Sequence, residues 1–312
     1  MKVVVVAMFE PGEDTGDRPG EYQLWVEREH LDRVIPLAAG YRHVRMNRDG
    51  VLGMLTGVGT SKAAASVMAL GLDPRFDLSH AYWLVAGTAG IDPKIGSVGS
   101  AAWARWVVDG DMGTEVDLRD APADWPTGLL AKDRSAPYQL PAPPAQSIEA
   151  NMAHALNVPL VDWAYRLSRG VPLADDAGIA ALRAAYGGEA ARPPFVLEGD
   201  NQTSVRFWYG ARMNERARRW VGYWTGGKGV FATAAEEDSG IMQALMQLAG
   251  AGRARLDRVL VLRAASDYTV PPPGMTAIQL LTEEAKTGPV GTTQALENLY
   301  RTGAPVIRYL AD

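Results

Sequence analysis

Val3–Val6 is a run of four valines with no polar residue between them. A strand that is apolar on both faces has to be covered on both, as in the helix-flanked sheets of α/β proteins. Ala81–Ala86 and Val259–Arg263 read as two more strands of this buried kind. Between them lie segments with helical periodicity. Glu21–Leu37 carries Leu24, Arg28, Leu31 and Ile35 on one face, with Pro36 near its end; Ser61–Leu70 is a small-residue helix. Ser147–Arg169 and Asp175–Ala185 follow, and Glu237–Ala249 aligns Met242, Leu245 and Leu248 before Gly250. Arg42–Asn47 and Val51–Thr56 form a hairpin signalled by Asp49-Gly50, Ala101–Val108 reads as a strand, and Thr292–Leu310 as a terminal helix with a short extended tail. Asp117–Ala145, rich in Pro, Asp and Ala, reads as an insertion or long loop. Strands alternating with helices, without an internal repeat, give an α/β class with one central sheet.

Composition narrows the chemistry. The 312 residues contain no cysteine, which excludes disulfides, thiolate catalysis and Cys-ligated metals. The four histidines, His30, His43, His80 and His154, have no helical metal-pair spacing. A net charge of −5 argues against nucleic-acid binding by bulk electrostatics. No apolar stretch approaches the roughly 20 residues of a spanning helix. The N-terminal run, with one lysine and no cleavage-like site, reads as an opening strand rather than a signal peptide. A cytoplasmic location is expected, or a periplasmic one if a leader has been removed.

In an open α/β sheet, ligands bind beyond the carboxyl ends of strands. Four such corners carry unusual residues: Met8-Phe9-Glu10; Gly57-Val58-Gly59 with Gly87-Thr88-Ala89-Gly90; Glu236-Glu237-Asp238; and Ser266-Asp267. The glycines serve either close helix packing or the approach of backbone N–H groups to an anion or hydroxyl. The three acids either cap the helix they precede or grip a diol such as ribose. Asp267 reads as a turn residue or as a general acid whose proton is retained in a dry site. Phe207, Trp208, Tyr209, Trp220, Tyr223 and Trp224, interleaved with arginines, form either a stacking surface for a planar ligand or a satellite core or interface.

These corners, in this order, resemble the nucleoside phosphorylase and nucleosidase superfamily. Leu55–Gly59, Gly87–Gly90 and Ile95–Gly99 are especially similar to methylthioadenosine/S-adenosylhomocysteine nucleosidase. Within the superfamily the chain looks like the purine nucleoside permease family, through Met8-Phe9-Glu10-Pro11, Trp224-Thr225-Gly226-Gly227-Lys228-Gly229, Glu237-Asp238-Ser239-Gly240, and Ser266-Asp267 with its downstream Pro-Pro-Pro-Gly. The resemblance spans nearly the whole chain. It implies a single three-layer α/β domain over 1–312, with a central mixed sheet of nucleoside phosphorylase type and an insertion around 117–195. It assigns Asp267 the protonation of a purine ring nitrogen and Glu237 the ribose hydroxyls, with Asp238 as the neighbouring candidate. Thr88, Ala89 and Gly90 match positions that hold phosphate or water and line the base pocket. Glu10 lies one position from the water-activating carboxylate of the nucleosidases. Asn201 and Gln202 occupy the region where a base-stacking aromatic is usual.

The implied activity is acid-assisted cleavage of a purine nucleoside, by hydrolysis or phosphorolysis, with no metal or organic cofactor and with inorganic phosphate as co-substrate only in the second case. Arg42, Arg45 and Arg48 on the hairpin are the candidate phosphate ligands; Glu10 favours water. Since no segment spans a membrane, the word permease is read as a phenotype. The alternative is a nucleoside-binding protein that assists uptake without catalysis, and a further one is a nucleosidase preferring 5′-thioether substrates. A homo-oligomer is expected by analogy.

Overall fold

The structure, a computed structural model, describes residues 1–143 and 152–312. The chain runs β1 (Val3–Ala7), α1 (Gln23–Arg28), β2 (Arg33–Ile35), β3 (Val44–Met46), β4 (Val51–Leu55), α2 (Thr60–Leu72) and β5 (Tyr82–Ile91). It continues through β6 (Ala101–Trp103), β7 (Trp106–Asp109), β8 (Thr114–Glu115), β9 (Leu129–Leu130), β10 (Ala153–Ala155), α3 (Val158–Ser168), α4 (Ala177–Ala184) and β11 (Val196–Glu198). The last part comprises β12 (Asp200–Thr203), α5 (Ala211–Trp224), β13 (Phe231–Ala235), α6 (Asp238–Gly250), β14 (Val259–Tyr268), α7 (Ala277–Thr287) and α8 (Thr292–Ala311).

The valine run is β1, buried at every residue and lying between parallel β4 and β5. It belongs to a large mixed sheet that is the centre of the fold. β5 and β14 pair in parallel over most of their length, and β14 pairs antiparallel with β6 on its other edge. β5 changes partner along its course. β1 pairs with it up to Val85, and β13 joins antiparallel at Gly90 and Ile91. Between those registers the edge of β5 is left open, and the residues there are Ala86–Ala89. This gap is where the cavity described below forms.

Several elements differ from the sequence expectation, each for a local reason. The helix expected over Glu21–Leu37 ends at Arg28. His30 takes a left-handed φ of 53°, and Arg33–Ile35 instead completes the sheet edge beside β3. Ala101–Val108 is two strands with different partners. The Asp200 carboxylate holds the break between them by accepting the N–H groups of Arg105 (3.0 Å) and Trp106 (2.8 Å). Within Ser147–Arg169, residues 147–151 lie outside the described residues, Ala153–Ala155 pairs with β7, and the helix starts only at Val158, where Pro159 sits in its first turn. Pro144 and Ala145 of the expected loop also lie outside the described residues. Gly87–Gly90 and Asp200–Thr203 are strand rather than turn, and the C-terminus is helical to Ala311. α7 is a helix beyond those expected from the sequence. The Arg42–Thr56 hairpin, α2 and α6 form where the turn and cap signals place them.

α2 and α6 pack so closely that a Cβ on Gly240 would meet the backbone carbonyl of Thr60. Backbone cannot give way as a side chain can. Gly240→Ala is therefore expected to destabilise by about 1–3 kcal/mol, read from the denaturant midpoint. An unchanged midpoint would show that the two helices are not held at this spacing.

Candidate active site

β14 and β5 stay in register up to Ala265 opposite Ala89, then shift so that Asp267 faces Gly90. Ser266 is the extra residue of this bulge, a device that re-aims the side chain after it. The Asp267 side chain borders a cavity of about 210 Å³. Its Oδ1 accepts the Ser266 hydroxyl at 2.8 Å, while Oδ2 is buried with no hydrogen-bond partner. Burial pushes its pKa to about 7; the Glu284 charge adds to the rise, and the Ser266 and Tyr209 hydroxyls oppose it.

The opposite wall comes from the end of β13 and the start of α6. Glu237 precedes the first turn, 4% exposed; its Oε1 accepts the Gly59 N–H at 3.2 Å and its Oε2 accepts Arg263 Nη2 at 3.1 Å. Gly59 has φ of 95°, so the turn after β4 needs a glycine to present that N–H. Arg263 comes from β14 and is fully enclosed. It also meets Asp238 Oδ2 at 2.9 Å and donates to the Thr88 carbonyl at 2.9 Å. Burial raises the Glu237 pKa and Arg263 pulls it back, so Glu237 is held on a guanidinium rather than left loose in the cavity.

A third carboxylate enters from the loop before α1. Glu21 accepts the Met8 N–H at 2.9 Å and the Thr88 N–H at 2.6 Å, with the Thr88 hydroxyl at 3.1 Å. Burial raises its pKa to about 7, with Arg263 opposing and Glu237 adding to the rise. Glu236 lines the same cavity, also pushed to about 7 by burial and by its neighbour Glu237. The close approach of these groups requires Gly87, where a Cβ would lie 2.5 Å from Arg263 Nη1 and 2.8 Å from Glu21 Oε1.

The structure thus brings Asp267, Glu237, Thr88, Ala89 and Gly90 to one cavity. Asp238 stands behind them, fully buried on Arg263. Glu10 does not line the cavity: its carboxylate accepts the N–H groups of Gly20, Tyr22 (3.0 Å) and Gln23 (2.7 Å), pinning the loop that delivers Glu21. Asn201 and Gln202 lie inside β12, outside the lining. With its amide oriented to suit its neighbours, Asn201 donates to Asp238 Oδ2 at 2.9 Å and accepts from Thr233 at 3.1 Å. The aromatic segment divides between its two readings. Phe207 and Tyr209 line the cavity with Phe9, rings 5.1 Å apart and edge to face, whereas Trp208, Trp220 and Val221 pack with Phe231 in a satellite core.

Arg42 and Arg45 of the hairpin are engaged by Asp14, Arg45 at 2.6 Å, and are not among the lining residues. Among the described lining residues Arg263 is the one cation, and two carboxylates already meet it. No three His, Cys, Asp or Glu of the described residues are grouped to hold a metal ion. Composition did not flag Glu21 or Arg263. The available signal was Arg263 itself, a charged residue directly after the apolar run Val259–Leu262, which demands buried acids nearby.

No helix of the described residues is long and apolar enough to cross a membrane. The fold is that of solved 5′-methylthioadenosine/S-adenosylhomocysteine nucleosidases. One from Neisseria meningitidis, in complex with methylthio-immucillin-A, aligns at TM-score 0.56 and 17% identity over 98% of both chains. Another, from Colwellia psychrerythraea and in complex with adenine, aligns at TM-score 0.57 and 18% identity, over 99% of this chain and 95% of that one. Futalosine hydrolase of Helicobacter pylori aligns at TM-score 0.54 and 14% identity, over 99% of this chain and 97% of that one. In sequence, the chain is 32% identical over 286 residues to a probable purine nucleoside permease of Schizosaccharomyces pombe, covering 89% of this chain and 81% of that one. It is 29% identical over 257 residues to a purine nucleoside permease of Candida albicans, spanning 81% of this chain and 62% of that relative's length. The family model described as "Purine nucleoside permease (NUP)" matches residues 1–312, and the chain belongs to that family.

Proposed function

We propose that this protein hydrolyses the N-glycosidic bond of purine nucleosides. The observation that carries the reading is that Asp267, with a buried and unpartnered oxygen, and Glu237, fixed on Arg263, border a single cavity walled by Phe9, Phe207 and Tyr209. Breaking the bond between C1′ and the base nitrogen leaves positive charge on the sugar and negative charge on the base. Asp267 gives its proton to a purine ring nitrogen, so that the base departs neutral. Glu237 accepts hydrogen bonds from the ribose hydroxyls and stabilises the cationic sugar. A water molecule adds its oxygen to C1′ and passes its proton to Glu21, which, rather than Glu10, borders the cavity. Glu21 then releases that proton to solvent and Asp267 recovers one, which restores both groups. The aromatic side chains offer faces for the base.

Hydrolysis is favoured over phosphorolysis because a dianionic phosphate calls for cationic ligands. The lining carboxylates Glu21, Glu236, Glu237 and Asp267 oppose it, and Arg263 is already paired. The relatives' permease names favour a second reading, in which the same cavity binds nucleosides for uptake without cleaving them.

Incubation with adenosine or inosine in phosphate-free buffer is expected to release free base. Turnover that waits for added phosphate would replace hydrolysis by phosphorolysis, and tight binding without base release would favour the second reading. Asp267→Asn is expected to lower kcat by about 10²–10⁴-fold while nucleoside affinity, by calorimetry, stays within a few-fold; near-normal turnover would remove Asp267 from the acid's role. The wild-type kcat/KM should peak near pH 7, falling above it as Asp267 loses the proton it must give and below it as Glu21 gains the proton that stops it accepting water's. Arg263→Met leaves Glu237 and Asp238 uncompensated and is expected to cost about 3–5 kcal/mol of stability, read by denaturant unfolding. A loss below 1 kcal/mol would mean that the cluster does not hold this wall in place.

A further inference from the structure

Asp267 borders two cavities. Besides the main one, a smaller space of about 140 Å³ runs under α7, walled by Tyr186, Tyr268, Glu283 and Glu284 among others. Tyr209, on the main cavity's wall, sends its hydroxyl towards the same place and donates to Glu284 Oε2 at 2.5 Å. That hydroxyl also lies beside Asp267 and, as the weakest of the influences on the acid, already pulls its pKa down, although its close bond is to Glu284. A phenol has one proton to donate, and two carboxylates compete for it. It goes to Glu284, and Asp267 Oδ2 is left buried with no donor.

We propose that Glu284 is a positioning residue for the acid: by taking the proton of Tyr209, it keeps Asp267 Oδ2 free of a donor and so free to carry the proton delivered to the base. A donor on that oxygen would stabilise the carboxylate and strip the acid of its proton at neutral pH. The inference rests on the reading of Asp267 as the acid and adds a residue from α7, an element with no part in the cleavage steps above. The ionisable groups around Asp267 are Tyr209 from the loop before α5, Tyr186 after α4, Tyr268 on β14 itself, and Glu283 and Glu284 on α7. Across the main cavity stand Glu21, Glu236, Glu237 and Arg263. All but Glu284 are unchanged in the first variant.

Glu284→Gln removes a negative neighbour and leaves only a neutral amide oxygen against the Asp267 carboxylate in the competition for the Tyr209 proton, which then turns to Asp267. Both changes favour the ionised carboxylate, so Asp267 should release its proton about one pH unit lower. The test is the pH dependence of kcat/KM for adenosine, together with a carboxyl-carbon NMR titration of Asp267 in the unliganded protein. The expected result is a downward shift of the alkaline limb and of the Asp267 titration by about one unit in Glu284→Gln, partly reversed on adding Tyr209→Phe, which removes the donor. A Glu284→Gln variant with lower turnover but an unmoved limb and an unmoved titration overturns the proposal. The NMR arm separates the two claims: a titration that shifts in a protein that cleaves no nucleoside upholds the proton assignment and discards the hydrolase.

Discussion

Arg263 is a fully buried cation at the centre of three acids, and the site's geometry depends on it. A lone charge in the interior is costly, and one paired on several sides is costly to disturb. Glu237 and Asp238 meet its guanidinium directly, Glu21 adds charge from the other wall, and the Thr88 carbonyl takes a further N–H. Arg263 and these partners come from four separate parts of the chain: β14, the loop before α1, β5 and the β13–α6 junction. Each is therefore tied to the others by charge as well as by packing. Two carboxylates at the start of one helix take different roles: Asp238 faces the interior, and Glu237 reaches the cavity.

The cavity itself follows from sheet topology. β1 stops pairing with β5 at Val85 and β13 begins at Gly90, so the sheet opens between them without a strand being broken. Side chains from the ends of β1 and β13 reach into this gap, and the Ser266 bulge turns Asp267 toward it. Burial is the leading cause of the raised pKa of Glu21, Glu236 and Asp267, all near 7. Groups poised there can give and take protons at neutral pH.

Much of this was legible in the sequence, for physical reasons. The valine run and the Asp49-Gly50 turn carry their own structure, and the acids at strand ends led to Asp267 and Glu237 because ligands gather where such strands stop. The strand through Gly87–Gly90 was missed because glycines read as a turn, whereas here they make room for Met8, Arg263, Glu21 and Phe207. Glu10 and Glu21 are acids on one loop, and only the backbone N–H groups folded around Glu10 tell which of the two borders the cavity. Asn201 and Gln202 follow a Gly-Asp pair that looks like a corner but is the start of a buried strand. α7, which borders the small cavity beside Asp267, follows a proline-rich stretch that masks it, and its sequence signal is the capping box at Thr276 and Gln279.

The most direct measurement is a crystal structure of the Asp267→Asn variant with an intact purine nucleoside. Density is expected in the gap between β1 and β13, with the base edge at position 267, the ribose hydroxyls on Glu237 and the base against Phe207 or Tyr209. A nucleoside bound elsewhere, or one whose ribose lies away from Glu237, would contradict it.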